Sequence, residues 1–311
     1  MDSSVCVVGL GLMGRPIARR LAGAGFAVSG WNRSALDAEL VAGIPTAGDL
    51  AAAAQADVVA LVLSDSPATG AVLSALEPHV RAGTLVIDLG SSDPGDSRER
   101  AARLAARGAG WIDAPVSGGP RGAAKGSLAI MAGGSAQDFA RALPVLSALG
   151  ANVAHVGGPG SGPAMKVVNQ VIVGLSIGAV SEALALASAM GFSVAEVQAA
   201  LRGGSADNAQ LRAVGNRIAR REYAPGAKIR TVLKDLRMGA AAAAELGLEL
   251  PALARAVEVS ERVAGLGAAD DDCAIVYELL AADGRLRAAA AVWPGPAGPS
   301  TADDDAREEP R

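Results

Sequence analysis

The chain has 311 residues, half of them hydrophobic but only 3% aromatic, and a formal net charge of −4. This length can supply two cores built from Ala, Val, Leu and Ile, and the spread, slightly acidic charge argues against nucleic acid, which needs a concentrated basic surface. Cys6 and Cys273, with His79 and His155, give neither a disulfide framework nor metal-ligand spacing, so no metal is expected.

Met1-Asp2-Ser3-Ser4 leads at once into the apolar run Val5–Val8, with no charged stretch and signal core before it, so a cytoplasmic protein is expected. Further short apolar runs follow at Ala27–Trp31, Val58–Leu63, Thr84–Asp88, Trp111–Asp113, Leu128–Met131 and Asn152–Val156. Segments of helical spacing, such as Pro16–Ala24 and Asp96–Arg107, lie between most of them. This alternation predicts βαβ units and a mainly parallel, doubly wound sheet of the Rossmann type.

The breaker cluster Gly157-Gly158-Pro159-Gly160-Ser161-Gly162-Pro163 ends that pattern. A long helix is predicted from Ala164 to about Met190, closed by Gly191. Polar residues, among them Asn169, Gln170, Ser176 and Glu182, interrupt its apolar sequence, so a buried helix is expected rather than a membrane span. Further helices are predicted over Val194–Leu201, Gln210–Arg220, Ile229–Leu246, Pro251–Gly265 and Cys273–Leu280, with no strand among them. The fold class is thus α/β: a dinucleotide-binding domain over 1–162, an all-helical substrate and dimerisation domain over 163–290 joined through a long interdomain helix, and a disordered tail over 291–311.

The first run opens into Gly9-Leu10-Gly11-Leu12-Met13-Gly14 and then an amphipathic segment. In a strand–turn–helix context, Gly9 allows the tight turn, Gly11 admits a pyrophosphate and Gly14 lets helix and sheet pack closely. The second run ends in Trp31-Asn32-Arg33-Ser34, with no carboxylate before Asp37. An acidic residue there would grip a ribose 2′-hydroxyl. Arg33 instead suits a 2′-phosphate, with Asn32 and Ser34 as donors, so NADP(H) is preferred and NAD(H) is the secondary choice. The alternative is an ordinary exposed arginine. Leu63 and Ser64, at the end of the third run, join the candidate cofactor set.

The segment from Asp113 to Leu128 is dense in glycine, and Ser117, Gly118 and Gly119 can offer a hydroxyl and successive amides to a carboxylate. A connection that merely turns the chain is the plainer reading. Lys166 and Asn169 are three residues apart and share a helix face flanked by Val167, Val168 and Val171. An amine on an apolar face has its pKa pushed down, which suits a general acid or base, although a snorkelling surface lysine fits the same pattern.

These segments resemble the β-hydroxyacid dehydrogenases, the family of 3-hydroxyisobutyrate dehydrogenase, tartronate semialdehyde reductase and the glyoxylate/succinic semialdehyde reductases. Val8–Gly14, Asp113–Gly134, Gly162-x-x-x-Lys166-x-x-Asn169 and Lys234-Asp235-Leu236 occur in family order and spacing, over residues 4–288. The resemblance implies hydride transfer between nicotinamide and a small β-hydroxyacid or its semialdehyde, with Lys166 as proton donor and acceptor. It implies that Asn169 holds substrate and orients Lys166, that Ser117, Gly118 and Gly119 bind the substrate carboxylate, and that Ser91 lies beside nicotinamide and substrate. It also implies that Lys234 lies against the cofactor, supported by Asp235, and that the chain forms a homodimer or tetramer through its C-terminal helices. Ala227 departs from the family, where many members carry an aromatic residue, which leaves the substrate open. The alternatives are an imine reductase, a 6-phosphogluconate dehydrogenase and a non-catalytic cofactor-binding protein of this fold. Imine reductases usually lack the lysine and the Pro-Val-Ser-Gly-Gly loop, and 6-phosphogluconate dehydrogenases have a longer C-terminal domain and a histidine in the motif where this chain has Val168-Asn169. The intact Lys166 and Asn169 argue against a non-catalytic protein.

Overall fold

The computed structural model describes residues 3–281 and 283–286. The tail expected over 291–311 lies outside them. The chain divides into two compact units, the first ending at Asn169 and the second beginning at Gln170.

The first unit is built on eight strands: β1 (Ser4–Val8), β2 (Ala27–Trp31), β3 (Val58–Leu61), β4 (Leu85–Asp88), β5 (Gly110–Asp113), β6 (Val116–Ser117), β7 (Leu128–Gly134) and β8 (Gly150–Gly157). Their order is β2-β1-β3-β4-β5-β7-β6, with β8 also paired to β7. The helices between them are α1 (Gly14–Gly23), α2 (Leu50–Ala53), α3 (Ser66–Leu76), α4 (Pro94–Ala105), α5 (Gly119–Lys125) and α6 (Ala136–Leu149). Strands β1, β3, β4 and β5 are parallel and covered on both faces, which is why their sequences are nearly unbroken apolar runs. In α1 the buried residues Ile17, Ala18 and Leu21 fall on one helical stripe, and Arg19 and Arg20 fall outside it. Side-chain caps start several helices: Asp49 on Ala52, Asp65 on Ala68, Asp93 on Gly95, and Ser135 on Asp138.

The sheet differs from the expected pattern at β6 and β7. Strand β7 runs antiparallel to β5 and β6, because residues 114–127 reverse the chain through β6 and α5 instead of crossing over. It also extends past the expected Met131. A Cβ on Gly133 would stand 2.2 Å from Asp113 Oδ1, and one on Gly134 would stand 2.4 Å from Ile112 Cδ1. Glycine is required there by close approach, not by a turn. The glycine-rich connection after β6 is in part the short helix α5.

Helix α7 (Ser161–Ala189) begins three residues earlier than expected, spends its first turns in the first unit and continues through the second. The second unit adds α8 (Val194–Ala200), α9 (Ala209–Arg220), α10 (Ile229–Glu245), α11 (Pro251–Val263) and, after a π turn and a 3₁₀ turn, α12 (Tyr277–Leu280). Its core joins Ile177, Val180 and Leu184 of α7 to Leu211, Ile229, Val263 and Ile275. The expectation of a buried α7 is corrected here: only 28% of its most apolar stretch is buried, although by length and composition the helix is able to cross a membrane. One narrow stripe faces the core, while Ile172, Leu186 and Met190 are exposed.

Candidate active site

Five candidate segments lie just beyond the C-terminal ends of strands in the first unit. The Gly9–Gly14 turn follows β1, Asn32–Ser34 follow β2, Leu63–Ser64 follow β3, Ser91 follows β4, and Ser117–Gly119 end β6. Strand β1 stands between β2 and β3, where the strand order reverses, which is the place an open parallel sheet offers a ligand.

The turn has the shape its glycines imply. Gly9 takes φ +103°, and a Cβ there would stand 2.3 Å from the Val62 carbonyl oxygen. A Cβ on Gly14 would lie 1.8 Å from the Gly9 carbonyl oxygen, whereas one on Gly11 would meet nothing within 4 Å. Two of the glycines therefore let the protein close on itself, and Gly11 leaves a surface open to a ligand. Met13 caps α1 without a side-chain bond. The Arg15 amide bonds the Gly11 carbonyl at 3.3 Å and Pro16 has no N–H, so a phosphate would be met by the turn and the very start of the helix rather than by its whole first turn. The residues fit a dinucleotide.

Asn32 has a role that its type alone did not reveal. Its Oδ1 accepts from the Leu10 amide at 3.0 Å, and its Nδ2 donates to the Ser34 carbonyl at 2.8 Å. The side chain thus ties the glycine turn to the end of β2. Arg33 is exposed beside it, and a cavity of about 150 Å³ lies there, lined by Leu10, Gly30, Trp31, Ser34 and Thr46 among others. Leu63 is half-buried, and the Ser64 hydroxyl donates to Asp65 at 2.9 Å.

At the end of the strand order opposite β2, Ser117 is half-buried, and Gly118 and Gly119 are exposed with φ +131° and +63°. Lys166 comes to this segment from α7. Its Nζ donates to the Val116 carbonyl at 2.9 Å, one residue from Ser117. Lys166 is half-buried, but the flanking face is less apolar in its surroundings than expected, since Val168 is 52% exposed. Asn169 follows on the same helix and is half-buried.

Two carboxylates that the sequence reading passed over organise these segments. Asp88 and Asp113 close β4 and β5 and are register partners, each 1% exposed. Asp88 accepts from the Gly90 amide at 2.9 Å and from the Ser92 hydroxyl, bracketing Ser91 on both sides. Arg100 donates to Ser92 at 2.9 Å and to the Ser66 carbonyl at 2.7 Å, which holds this bracket from α4. Asp113 accepts from Ser97, Gly160 and Gly162. Burial pushes both carboxyls up from the ordinary carboxylate range, against the pull of those hydrogen bonds. The available signal was an acidic residue closing an apolar run buried on both faces, a placement too costly to lack partners.

In the second unit, Lys234 lies on α10 with its Nζ 3.3 Å from Asp235 Oδ1. Asp235 is buried and also accepts from Gln170. Ala227 sits in the exposed loop before α10, where its amide donates to Asp272 at 2.8 Å.

Residues 4–157 match the NAD binding domain of 6-phosphogluconate dehydrogenase, and residues 160–280 match the NAD-binding domain of NADP-dependent 3-hydroxyisobutyrate dehydrogenase. The chain is 35% identical over 280 residues to 2-hydroxy-3-oxopropionate reductase of Escherichia coli, covering 88% of this chain and 95% of that one. It belongs to the β-hydroxyacid dehydrogenase family. Within that family it is 32% identical over 289 residues to the NAD-dependent L-serine dehydrogenase of Pseudomonas aeruginosa, covering 89% of this chain and 97% of the relative. The structure of Mycobacterium tuberculosis 3-hydroxyisobutyrate dehydrogenase matches with a TM-score of 0.80 at 30% identity, covering 90% of this chain and 99% of that one. As a family member the protein is a nicotinamide-dependent oxidoreductase acting on CH–OH groups.

Proposed function

We propose that the protein interconverts a small β-hydroxyacid and its semialdehyde with NADP(H), using Lys166 as proton donor and acceptor. The observation that carries this reading is the 2.9 Å bond from Lys166 Nζ to the carbonyl of Val116, beside Ser117. It brings the amine to the residue that precedes Ser117, in the segment whose hydroxyl and two exposed glycine amides suit a substrate carboxylate. When bound, the reduced nicotinamide supplies a hydride to the carbonyl carbon. The Lys166 ammonium then donates a proton to the carbonyl oxygen, and its charge stabilises the developing alkoxide. The neutral amine recovers its proton from solvent. In the oxidative direction, neutral Lys166 accepts the hydroxyl proton. Asn169 and Ser91 are assigned to substrate, and Lys234 to cofactor, on the family resemblance.

Exposed Arg33, with no acid before Asp37, supports the NADP(H) preference. The name of the Escherichia coli relative makes 2-hydroxy-3-oxopropionate the first substrate to test, followed by the 3-hydroxyisobutyrate and L-serine of the other relatives. The exposed apolar residues of α7 support self-association through the helical domain.

The test is turnover of these compounds with NADPH and NADH by the parent and by Lys166→Ala. Lys166→Ala is expected to bind NADPH normally and to lose roughly two to four orders of magnitude in hydride transfer. Lys166→Arg fares little better, because guanidinium does not deprotonate. A Lys166→Ala rate within about threefold of the parent returns the proton to water or another side chain.

A further inference from the structure

Asp113 is buried where a carboxylate is costly, and its partners explain its place. Its Oδ2 accepts from Ser97 Oγ at 2.6 Å and from the Gly160 amide at 2.6 Å, and its Oδ1 accepts from the Gly162 amide at 2.9 Å. The Ser97 hydroxyl in turn accepts from Trp111 Nε1 at 3.0 Å. Gly160 and Gly162 flank Ser161, the first residue of α7. Amides at the start of a helix have no intrahelical acceptor and require one from elsewhere. Here the acceptor comes from the neighbouring strand rather than from a local cap. The space around it is reserved: a Cβ on Gly162 would lie 2.5 Å from Asp113 Oδ1, and one on Gly133 would lie 2.2 Å from it.

The same short segment holds the far end of the contact. Asp113 ends β5, and Val116, three residues on, accepts the bond from Lys166 Nζ. Asp113, the first turns of α7, Lys166 and Val116 therefore close a ring of covalent and hydrogen bonds. A helix start free to shift would carry Nζ off the Val116 carbonyl, since Lys166 stands only about 7.5 Å along the axis from Ser161 at about 1.5 Å per residue.

We propose that Asp113 is a positioning residue for proton transfer: by gripping the start of α7 it holds the Lys166 amine beside Ser117. This rests on the assignment of Lys166 as acid and base. Asp113 acts through geometry and does not itself touch the reacting atoms.

Asp113→Asn tests it in the full chain. The amide keeps the shape but replaces one acceptor oxygen with an NH₂ that faces donors. Single-turnover hydride transfer, with saturating NADPH and 2-hydroxy-3-oxopropionate, is compared in the parent, Asp113→Asn, Lys166→Ala and the double variant. Asp113→Asn is expected to slow transfer by about 10- to 100-fold, with the NADPH Kd and substrate KM within about twofold of the parent. In the Lys166→Ala background it is expected to add nothing, because the group it positions is gone. Equal slowing in both backgrounds, or no slowing in either, overturns the proposal. Parent-like transfer by Lys166→Ala alone strikes the assignment beneath the proposal and takes the proposal with it. If Asp113→Asn does not fold, Ser97→Ala removes a single brace. It is expected to slow transfer less, again only when Lys166 is present, and an unchanged rate there also overturns the proposal.

Discussion

At the scale of single residues, the cofactor end pairs two side chains with different tasks. Asn32 spends its amide on the Leu10 amide and the Ser34 carbonyl, so it shapes the turn. Arg33 is exposed beside the cavity at the end of β2 and is the residue suited to a 2′-phosphate. Arg33→Ala is therefore expected to weaken NADPH binding by about 1–3 kcal/mol and to leave NADH nearly unchanged. Titrating both cofactors by fluorescence checks this, and equal losses would remove Arg33 from the 2′-phosphate. Asn32→Ala belongs to another class. It disturbs the turn itself, so both cofactors are expected to weaken together.

At the scale of elements, helices are fastened to the sheet by buried polar groups as well as by apolar stripes. Glu77, in the 3₁₀ turn that follows α3, binds Arg103 of α4 and, at 3.3 Å, Arg107 just beyond it. Burial works against its charge, yet the two guanidinium groups hold its carboxyl below the ordinary value of 4.5. A carboxylate with a lowered folded-state pKa stabilises the fold above its unfolded value and ceases to do so as pH falls through the folded value. Glu77→Gln is thus expected to lower stability near pH 7 by on the order of 1 kcal/mol, discounted for the partly exposed arginines. Thermal melts of both proteins from pH 7 to pH 3 should show the gap in Tm closing below the ordinary carboxylate range. A gap independent of pH would mean that the loss is one of packing, not of charge.

At the scale of the whole molecule, the feature left unbalanced is α7. Its inward stripe joins the second core, yet Ile172 and Leu186 stand exposed on the same helix, as does Met190 just after it, and Leu246, Leu248 and Leu250 stand exposed around the turn between α10 and α11. The self-association proposed for the helical domain would cover these groups. A second copy of the chain is the proposed partner, and Ile172→Asp is expected to shift sedimentation toward the monomer while leaving the helical content intact. An unchanged sedimentation coefficient would place the contact elsewhere. Binding of the parent to lipid vesicles would make the face a membrane surface instead.

Much of the architecture was legible because it rests on local rules. The strand–turn–helix around Gly9, Gly11 and Gly14, the apolar runs of the parallel strands and the helical spacing after Ser161 follow from period, sterics and caps, which depend on neighbours in sequence. The candidate residues Ser117 and Lys166 were legible as types, but the bond from Lys166 to Val116 was not, since it joins positions 50 residues apart. The antiparallel course of β7, the extension of that strand through Gly133 and Gly134, and the exposure of α7 were likewise decided by tertiary structure. In β7 the local preference of the glycines was overridden by what came to lie against them, and in α7 it was decided by how narrow a stripe the second core covers. Asp88 and Asp113 show the same division: a carboxylate at the end of an apolar strand signals a need for partners, but only the folded chain determines that these are the Gly90 amide and Ser92 hydroxyl around Ser91, and the Ser97 hydroxyl with the two glycine amides at the start of α7.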